Sequence, residues 1–355
     1  MKQNLMKLAA AMLAGVLSVG AAGSFDVHAE DETHIVVLGD SLSFGSGLEE
    51  GEKSYVELLG ELPDTEVLNF SYDHMTTENM LHYMNDRQMQ SYLDSADVII
   101  VSVGIHDIMD PFMEKAQGYM DKWGFEKFED VFFASLSEHG LTETDLQYYA
   151  ADLTTAVKSN RETAKANMLE IGERLSAYND AQIIFQNVYN PIDTIENLEK
   201  LSDKRKMAYT SICHIVNTAL NDSVNAAVGE LSETYGYEIA DVQTPFLGNA
   251  YRYVHLNELD VNPTAQGHAV IAEVLTDMVV RKLGDVTGDG EINAQDAAAV
   301  LVYASEIGAG LEGGLNEAAL QAGDVDGVDG VNAADAAKIL AYAAQLSAGG
   351  NPSWD

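Results

Sequence analysis

The chain is poor in basic residues and in cysteine, and both scarcities exclude whole classes of function. Its 355 residues include 19 Lys and Arg against 57 Asp and Glu, so the formal net charge is −38. Nucleic acids and anionic membrane surfaces attract cationic proteins, and this composition argues against both as partners. The single cysteine, Cys213, excludes an internal disulfide and is expected to be a buried core residue.

Long apolar runs are also scarce, and the one that stands out lies at the start of the chain. Lys2 and Lys7 form a basic beginning, an apolar run follows, and Ala29 ends a small-x-small cleavage pattern. The run is too short to span a bilayer. We therefore predict that residues 1–29 form a signal peptide, so that the protein is secreted and extracellular with no membrane attachment after cleavage.

Short apolar runs alternate with helical patterns between residues 33 and 282. The runs that are typical of buried strands span residues 33–38, 67–70, 98–103, 181–185 and 237–242. Strands that alternate with helices predict a parallel sheet covered by helices on both faces. The ligand site of such a sheet lies beyond the carboxyl ends of its strands, so the residues that follow each run are the functional candidates.

A long segment rich in aromatic residues, 109–150, follows the third predicted strand. Its aromatic residues are Phe112, Tyr119, Trp123, Phe125, Phe128, Phe132, Phe133, Tyr148 and Tyr149. These side chains could wall or cover a binding site. Packing within a helical subdomain is the simpler explanation for most of them.

A serine follows the first predicted strand, in Gly39-Asp40-Ser41-Leu42-Ser43. A serine at a strand-to-helix turn can present its hydroxyl at the carboxyl edge of a sheet, where a helix N-terminus helps to stabilise an oxyanion. Asp40 or Ser41 could instead do no more than cap a helix. The Gly-Asp-Ser pattern alone does not decide between a nucleophile and a cap.

Three more segments accompany this serine, at residues 69–77, 104–107 and 260–268. In order and position, the four segments resemble the sequence blocks of the SGNH (GDSL) hydrolase family, over about residues 33–282. The resemblance implies a flavodoxin-like three-layer α/β fold with a parallel sheet. It also implies ester hydrolysis without a catalytic cofactor, with Ser41 as the nucleophile.

Three positions depart from the family pattern. The resemblance implies an oxyanion-hole asparagine where this chain has His106, an oxyanion-hole glycine where it has His74, and the catalytic histidine where it has Asn262. On the resemblance, Ser41, His74 and His106 are expected to form the oxyanion hole. Asp260 would orient a base if the last block supplied one, and would otherwise cap the helix that follows.

The general base is left open, because a serine hydroxyl needs a base within roughly 2.6–3.2 Å and asparagine accepts no proton. In the first hypothesis His106 and Asn262 have exchanged roles, as base and oxyanion donor. In the second, His255 or His74 is the base, and His268 is the weaker candidate. In the third, the domain is catalytically impaired and only binds. The sequence does not separate the three, although activity is favoured over impairment, since a reciprocal exchange of Asn and His is an odd outcome of simple decay.

The chain changes character at Gly284, where an internal repeat begins. Residues 284–301 match residues 323–340, and each copy passes from an Asp- and Gly-rich loop into a helical pattern. Such loops supply alternating oxygen ligands to calcium, which takes about six to eight. Val328 occupies a ligand position of the second loop, so that loop either binds calcium more weakly or recruits Asp329 through a distorted turn. The predicted ligands are Asp285, Thr287, Asp289, the Glu291 carbonyl, Asn293 and Asp296 in the first loop, and Asp324, Asp326, Asn332 and Asp335 in the second.

This duplicated loop-helix pattern resembles a type I dockerin over about residues 284–345. The resemblance implies structural calcium and, as partner, a cohesin domain of a scaffoldin protein in a cellulosome. The predicted organisation is a signal peptide (1–29), an SGNH-hydrolase-like domain (30–283), a small all-α dockerin-like domain (284–347) and a tail (348–355).

The predicted function is a cellulosome-associated serine esterase that removes acyl groups, chiefly acetyl, from plant cell-wall polysaccharide. The alternative is a catalytically impaired subunit that binds glycan or ester ligands in the same assembly. Both expectations follow from the two resemblances together.

Overall fold

The computed structural model describes residues 33–63, 65–178, 181–279, 283–288, 291–315, 317–328, 330–350 and 352–354. The predicted signal peptide lies outside these residues, and so do the predicted calcium ligand Asp289 and the alternative ligand Asp329. Within the described ranges, no helix combines the length and the apolar character that a membrane crossing needs.

A parallel five-stranded sheet forms the centre of the larger domain. Its strands are β1 (Thr33–Gly39), β2 (Thr65–Ser71), β3 (Val98–Ser102), β4 (Gln182–Gln186) and β5 (Glu238–Ala240). They lie in the order β2-β1-β3-β4-β5, and every pair is parallel. This is the flavodoxin-like strand order, so the predicted α/β fold class is confirmed.

Helices cover both faces of the sheet, and the β1 residues Ile35, Val36, Val37 and Leu38 are therefore all fully buried. The helices of this domain are α1 (Ser41–Phe44), α2 (Tyr55–Leu59), α3 (Thr77–Tyr83), α4 (Arg87–Leu93), α5 (Ile105–Trp123), α6 (Asp130–Phe133), α7 (Glu143–Lys158), α8 (Arg161–Leu175), α9 (Asp203–Leu220), α10 (Ala226–Tyr235), α11 (Gln243–Phe246), α12 (Ala250–Tyr253) and α13 (Ala265–Val279).

The aromatic segment is helical and continuous with the sheet, since α5 begins three residues after β3 ends. Most of its aromatic rings pack inside: Phe112, Phe128, Phe132 and Tyr149 are at most 1% exposed. Tyr148 is an exception at 66% exposed. The packing explanation therefore holds for most of these residues.

The repeat region forms a small all-α domain with its own apolar core. Its helices are α14 (Ala294–Gly308), α15 (Glu317–Gly323) and α16 (Ala333–Ser347). The core residues are Val286, Ala297, Val300, Ala319, Val325, Ala336 and Ile339. Asn293 and Asn332 cap α14 and α16 through matching capping boxes, which reflects the internal repeat.

Candidate active site and calcium loops

Ser41 is the first residue of α1 and lies fully buried at the carboxyl end of β1. Asp40 caps this helix, because its Oδ1 accepts the Leu42 N–H over 3.1 Å. Only glycine fits at position 39, since a β-carbon there would collide with Ser43 Oγ. The cap and the tight turn together hold Ser41 at the sheet edge. Asp40 therefore caps the helix, and Ser41 remains the candidate nucleophile.

His74 contacts the Ser41 hydroxyl through its backbone. Its N–H donates to Ser41 Oγ over 2.6 Å, just beyond the end of β2. The φ of His74 is 54°, a left-handed conformation that glycine adopts freely and that costs another residue of order 1 kcal/mol. The backbone at this position is thus glycine-like, although the residue is histidine.

His106 lies at the start of α5, beyond the end of β3. The register pairs Gly39 with Ser102, so Ser41 and His106 follow adjacent strand ends at one edge of the sheet. His106 is 1% exposed, and its Nδ1 lies 2.7 Å from Asp110 Oδ1. Its Nε2 is buried and has no hydrogen-bond partner in the described part of the chain. A neutral ring that donates from Nδ1 keeps its lone pair on Nε2.

Asp110 contacts the rings of both His74 and His106. Its Oδ2 is 3.3 Å from His74 Nδ1, and the two ring centroids are 4.7 Å apart in an edge-to-face arrangement. Burial raises the pKa of Asp110, but hydrogen bonds from both rings outweigh burial and lower it to about 2. The carboxylate is therefore ionised at neutral pH.

Asp110 also raises the pKa values of the two histidines that it contacts. Its hydrogen bond raises the pKa of His74 to about 9, so that exposed ring is cationic at neutral pH. Burial lowers the pKa of His106, but the hydrogen bond to Asp110 and the charges of Asp40 and Asp110 outweigh burial, and the net pKa is raised. The site therefore holds a carboxylate shared between two imidazoles.

Residues of the last sequence block, together with His255, lie close to Gly47. A β-carbon at Gly47 would lie 3.3 Å from both Asp260 Oδ2 and His255 Cδ2, and 3.6 Å from Asn262 Cβ. Asp260 Oδ1 accepts the Asn262 N–H over 2.8 Å. Asn262 Oδ1 and His255 Nε2 are buried, and neither has a hydrogen-bond partner among the described residues. The block therefore brings an unpartnered amide oxygen and an unpartnered imidazole nitrogen next to the turn that follows α1.

His268 belongs to the core. It is fully buried on α13, and its Nδ1 accepts the Tyr55 N–H over 3.2 Å. Burial lowers the pKa of His268 to about 4, so the ring is neutral. Its position agrees with the low rank that it has among the candidate bases.

Asp110 is the site residue that sequence reasoning missed. The structure brings it together with Ser41, His74 and His106, all of which were predicted. The signal was the spacing, since His106 and Asp110 are four residues apart at the start of a helix and thus share one face. The chain has 57 acidic residues, and that spacing alone does not single one out.

In the first predicted calcium loop, two carboxylates accept hydrogen bonds from backbone N–H groups of the loop. Fully buried Asp296 accepts the N–H of Thr287 on Oδ1 and the N–H of Asn293 on Oδ2, both over 2.8 Å. Asp285 Oδ1 accepts the Gly288 N–H over 2.9 Å. Carboxylate, hydroxyl and amide oxygens are the ligands that calcium prefers. The described residues of this loop therefore fit the ion.

The second loop fits calcium through an orphaned oxygen. Ligand oxygens of Asp324, Asp326 and Asp335 lie within 4.8 Å of one another. Asp324 Oδ1 is buried without a hydrogen-bond partner in the described chain, which a cation would satisfy. Lys338 Nζ lies 3.5 Å from Asp326 Oδ2 and partly neutralises the cluster. The Asn332 side chain caps α16.

Comparison with known proteins identifies the C-terminal part. Residues 283–343 match the family model of the Dockerin type I domain. The predicted resemblance is thus confirmed for this segment, the dockerin domain. A comparison with curated proteins found no match.

Solved structures similar to the rest of the chain are lipolytic hydrolases. An extracellular lipase from Streptomyces rimosus has 19% identity and a TM-score of 0.47, covering 69% of this chain and 98% of its own. Phospholipase A1 from Streptomyces albidoflavus NA297 has 16% identity and a TM-score of 0.43, with the same coverage of 69% and 98%. A lipolytic G-D-S-L family protein from Veillonella parvula DSM 2008 has 14% identity and a TM-score of 0.38, covering 70% and 99%. Identities this low do not transfer an activity to this chain.

Proposed function

We propose that this protein is a secreted serine ester hydrolase, carried to a scaffold by its dockerin domain, that removes acetyl or other acyl groups from plant cell-wall polysaccharide. The observation that supports hydrolysis best is the contact between the His74 backbone N–H and Ser41 Oγ, 2.6 Å. It places a backbone hydrogen-bond donor beside Ser41 Oγ, the atom that would attack the ester carbonyl and next to which the oxyanion would form. The buried, unpartnered Nε2 of His106 at the same sheet edge supplies the base.

In this mechanism Ser41 Oγ attacks the ester carbonyl while His106 Nε2 takes its proton. The His74 N–H and the Nδ2–H group of Asn262 donate to the oxyanion of the tetrahedral intermediate and stabilise it. His106 then gives the proton to the sugar oxygen as its bond to the carbonyl carbon breaks, so that the sugar leaves as an alcohol and the acyl group stays on Ser41. Water attacks that acyl-enzyme with His106 again as base, and releases the carboxylic acid.

The polysaccharide part of the proposal rests on the dockerin domain. A dockerin implies a cohesin of a scaffoldin as its partner, so the enzyme would work beside other enzymes that degrade plant glycans. Structural calcium in the two loops would be needed for that attachment and would supply no chemistry. Acetyl esters of xylan are therefore the first substrates to test.

A second function, a catalytically impaired glycan- or ester-binding subunit, has one observation in its favour. The Nε2 atoms of His106, His255 and His268 all lack hydrogen-bond partners in the described chain, so none is bonded to Ser41 Oγ. Asn262, at the position where the family resemblance implies the base, cannot accept a proton. A site of this kind would bind an ester without turning it over.

Hydrolysis of a short-chain aryl acetate and of acetylated xylan separates the two functions. Wild type is expected to be active, and Ser41→Ala and His106→Ala are expected to lower kcat by about 10³-fold or more. Full activity of His106→Ala would contradict the exchange of roles. An inert wild type, with activity gained by the double variant His106→Asn, Asn262→His, would establish the impaired site instead.

A further inference from the structure

The acid of the last block has no catalytic ring to orient. Asp260 Oδ1 accepts the backbone N–H of Asn262, and position 262 carries an amide. His255 is another histidine on that loop, but within the described chain no hydrogen bond joins its ring to Asp260, whose Oδ1 accepts the Asn262 N–H. An orienting acid has to bond to the ring nitrogen that faces away from the nucleophile. With His106 as base, such an acid has to come from elsewhere.

Asp110 has the required geometry. Its Oδ1 lies 2.7 Å from His106 Nδ1, within the range of charge-assisted hydrogen bonds. The bond fixes Nδ1 as the protonated nitrogen and leaves the buried Nε2 free to take a proton. Because both residues lie on one face of α5, the pair needs no contact with the loop of the last block.

The helix that carries this pair is braced where it would otherwise be weak. Pro111 lies inside α5 and has no N–H to give to the carbonyl of Asp107, four residues earlier. Asn160 Nδ2 donates to that carbonyl instead, over 3.0 Å. The Asp107 carboxylate in turn accepts both the N–H and the Oγ1–H of Thr77, over 2.9 and 2.7 Å. The first turns of α5 are therefore tied to two neighbouring elements.

The second oxygen of Asp110 reaches the other catalytic segment. Its Oδ2 lies 3.3 Å from Nδ1 of His74, the residue whose backbone N–H contacts Ser41. One carboxylate thus links the ring of the base to the segment that supplies the oxyanion donor.

We propose that Asp110 is the acid of a relocated triad, Ser41–His106–Asp110. This deepens the proposed function and rests on it. Asp110 accepts the His106 Nδ1–H throughout and stabilises the imidazolium that forms when Nε2 takes the Ser41 proton. No further acid or cofactor enters the balance, since the same proton returns to the leaving alcohol.

Among the described residues, four charged or titratable groups act on His106. Asp40 comes from the end of β1, His74 from the segment after β2, and Asp107 and Asp110 from α5 itself. Asp40 is buried and bonded to the backbone of its own helix. Of the four, Asp110 is the one that the structure joins to a ring nitrogen of His106. Its removal therefore tests the proposal most directly.

The test compares three Asp→Asn variants of the full chain on a soluble aryl acetate. Asp110→Asn is expected to lower kcat by about 10³-fold with little change in KM, because it removes stabilisation that exists only once the imidazolium forms. Its acidic limb of kcat/KM should move to lower pH, because the carboxylate that raises the pKa of His106 is gone. Asp260→Asn tests the family position and is expected to keep most of the activity. Asp121→Asn is the matched control, since exposed Asp121 also makes an i,i+4 bond within α5, where its Oδ1 accepts from Gln117 Nε2 over 2.6 Å.

Nitrogen-15 NMR of the wild-type histidines keeps the inference separate from the proposed function. An Nδ1–H tautomer of His106 that is lost in Asp110→Asn supports the Asp110–His106 pairing even if wild type proves inert. In that case the esterase proposal and the catalytic role of Asp110 fail, while the pairing stands. An active wild type with an equally active Asp110→Asn overturns the inference alone, and so does an Asp260→Asn as impaired as Asp110→Asn. Activity that EDTA abolishes and Zn²⁺ alone restores would also overturn the inference. In that case the side chains of His74, His106 and Asp110 would bind a metal.

Discussion

The backbone N–H of His74 lies 2.6 Å from Ser41 Oγ, and His74 reaches this position with a left-handed φ of 54°. The contribution that matters to Ser41 is therefore a main-chain group and not the imidazole. The ring serves a different partner, the carboxylate of Asp110. The two halves of this residue can be separated by mutation.

Replacement of His74 by glycine should leave the hydrolase active. His74→Gly keeps the N–H and removes a left-handed strain of about 1 kcal/mol, at the loss of a largely exposed ion pair worth at most about as much. We expect kcat on an aryl acetate within about tenfold of wild type and a melting temperature that changes little. A loss as large as that of Ser41→Ala would mean that the imidazole itself takes part in the chemistry.

The pH profile should report His106. Hydrolysis needs the neutral ring, and Asp110 and Asp40 hold the pKa of His106 above its ordinary value of 6.5. As the pH falls through that raised pKa, the ring gains a proton and kcat/KM should decrease, with its midpoint above pH 6.5. A midpoint near pH 4, the value to which burial lowers His268, would point to a different base.

Lys338 should weaken calcium binding by the second loop. Its ammonium lies 3.5 Å from Asp326 Oδ2, and the matching position of the first repeat is Ala299. Lys338→Ala removes a competing cation, so calorimetric titration should find the weaker of two calcium sites tightened by about 2- to 10-fold. Lys127→Ala, an exposed lysine of the other domain, is the control and should change neither site. An unchanged affinity in Lys338→Ala would mean that the ammonium leaves the loop once calcium binds.

Trp354 should stabilise the dockerin domain. Its ring stacks on Tyr342 with centroids 3.9 Å apart and planes 6° from parallel, and it covers Gly284, where a β-carbon would collide with it. Trp354→Ala should lower the free energy of unfolding of this domain by about 1–3 kcal/mol. The midpoint temperature of its calorimetric transition should fall accordingly. Trp354→Phe should restore most of the loss, and the transition of the larger domain should not move. Equal transitions in wild type and Trp354→Ala would contradict this.

Calcium removal should uncouple attachment from hydrolysis. Ligands of both loops cap or join the dockerin helices, whereas Ser41 and His106 lie in the domain with the sheet. EDTA is therefore expected to abolish binding to a cohesin and to lower helicity, while hydrolysis of a soluble aryl acetate continues. Cohesin binding that persists in EDTA would contradict the calcium-dependent role of the dockerin domain.

Much of the fold could be predicted because it depends on local patterns. Apolar runs such as 98–103 have the length and composition of buried strands, and the structure has β3 at Val98–Ser102. The repeat at 284–301 and 323–340 predicted two loop-helix units, and these appear as capped helices with a common core. Boundaries within the long helical stretches were harder, because α7 and α8 are separated by two polar residues that continue a helical pattern.

The candidate site was predicted only in part. Ser41, His74 and His106 follow strand ends, and a parallel sheet brings such positions to one edge whatever their side chains do. Asp110 was missed because it lies inside a helix. Whether it can bond to His106 depends on the orientation of the His106 ring, which the sequence does not give. The Lys338–Asp326 pair and the Trp354 stack depend in the same way on contacts between distant segments.

By itself, the sequence determined the class of sheet, the place of the nucleophile candidate at a strand end, and the dockerin repeat. These follow from hydrophobic period, residue type and repetition, which are local properties. Only the tertiary structure decided which acid meets which histidine, because a hydrogen bond depends on ångström-scale direction between side chains. The carboxylate of Asp110, and not that of Asp260, is the one within bonding distance of His106.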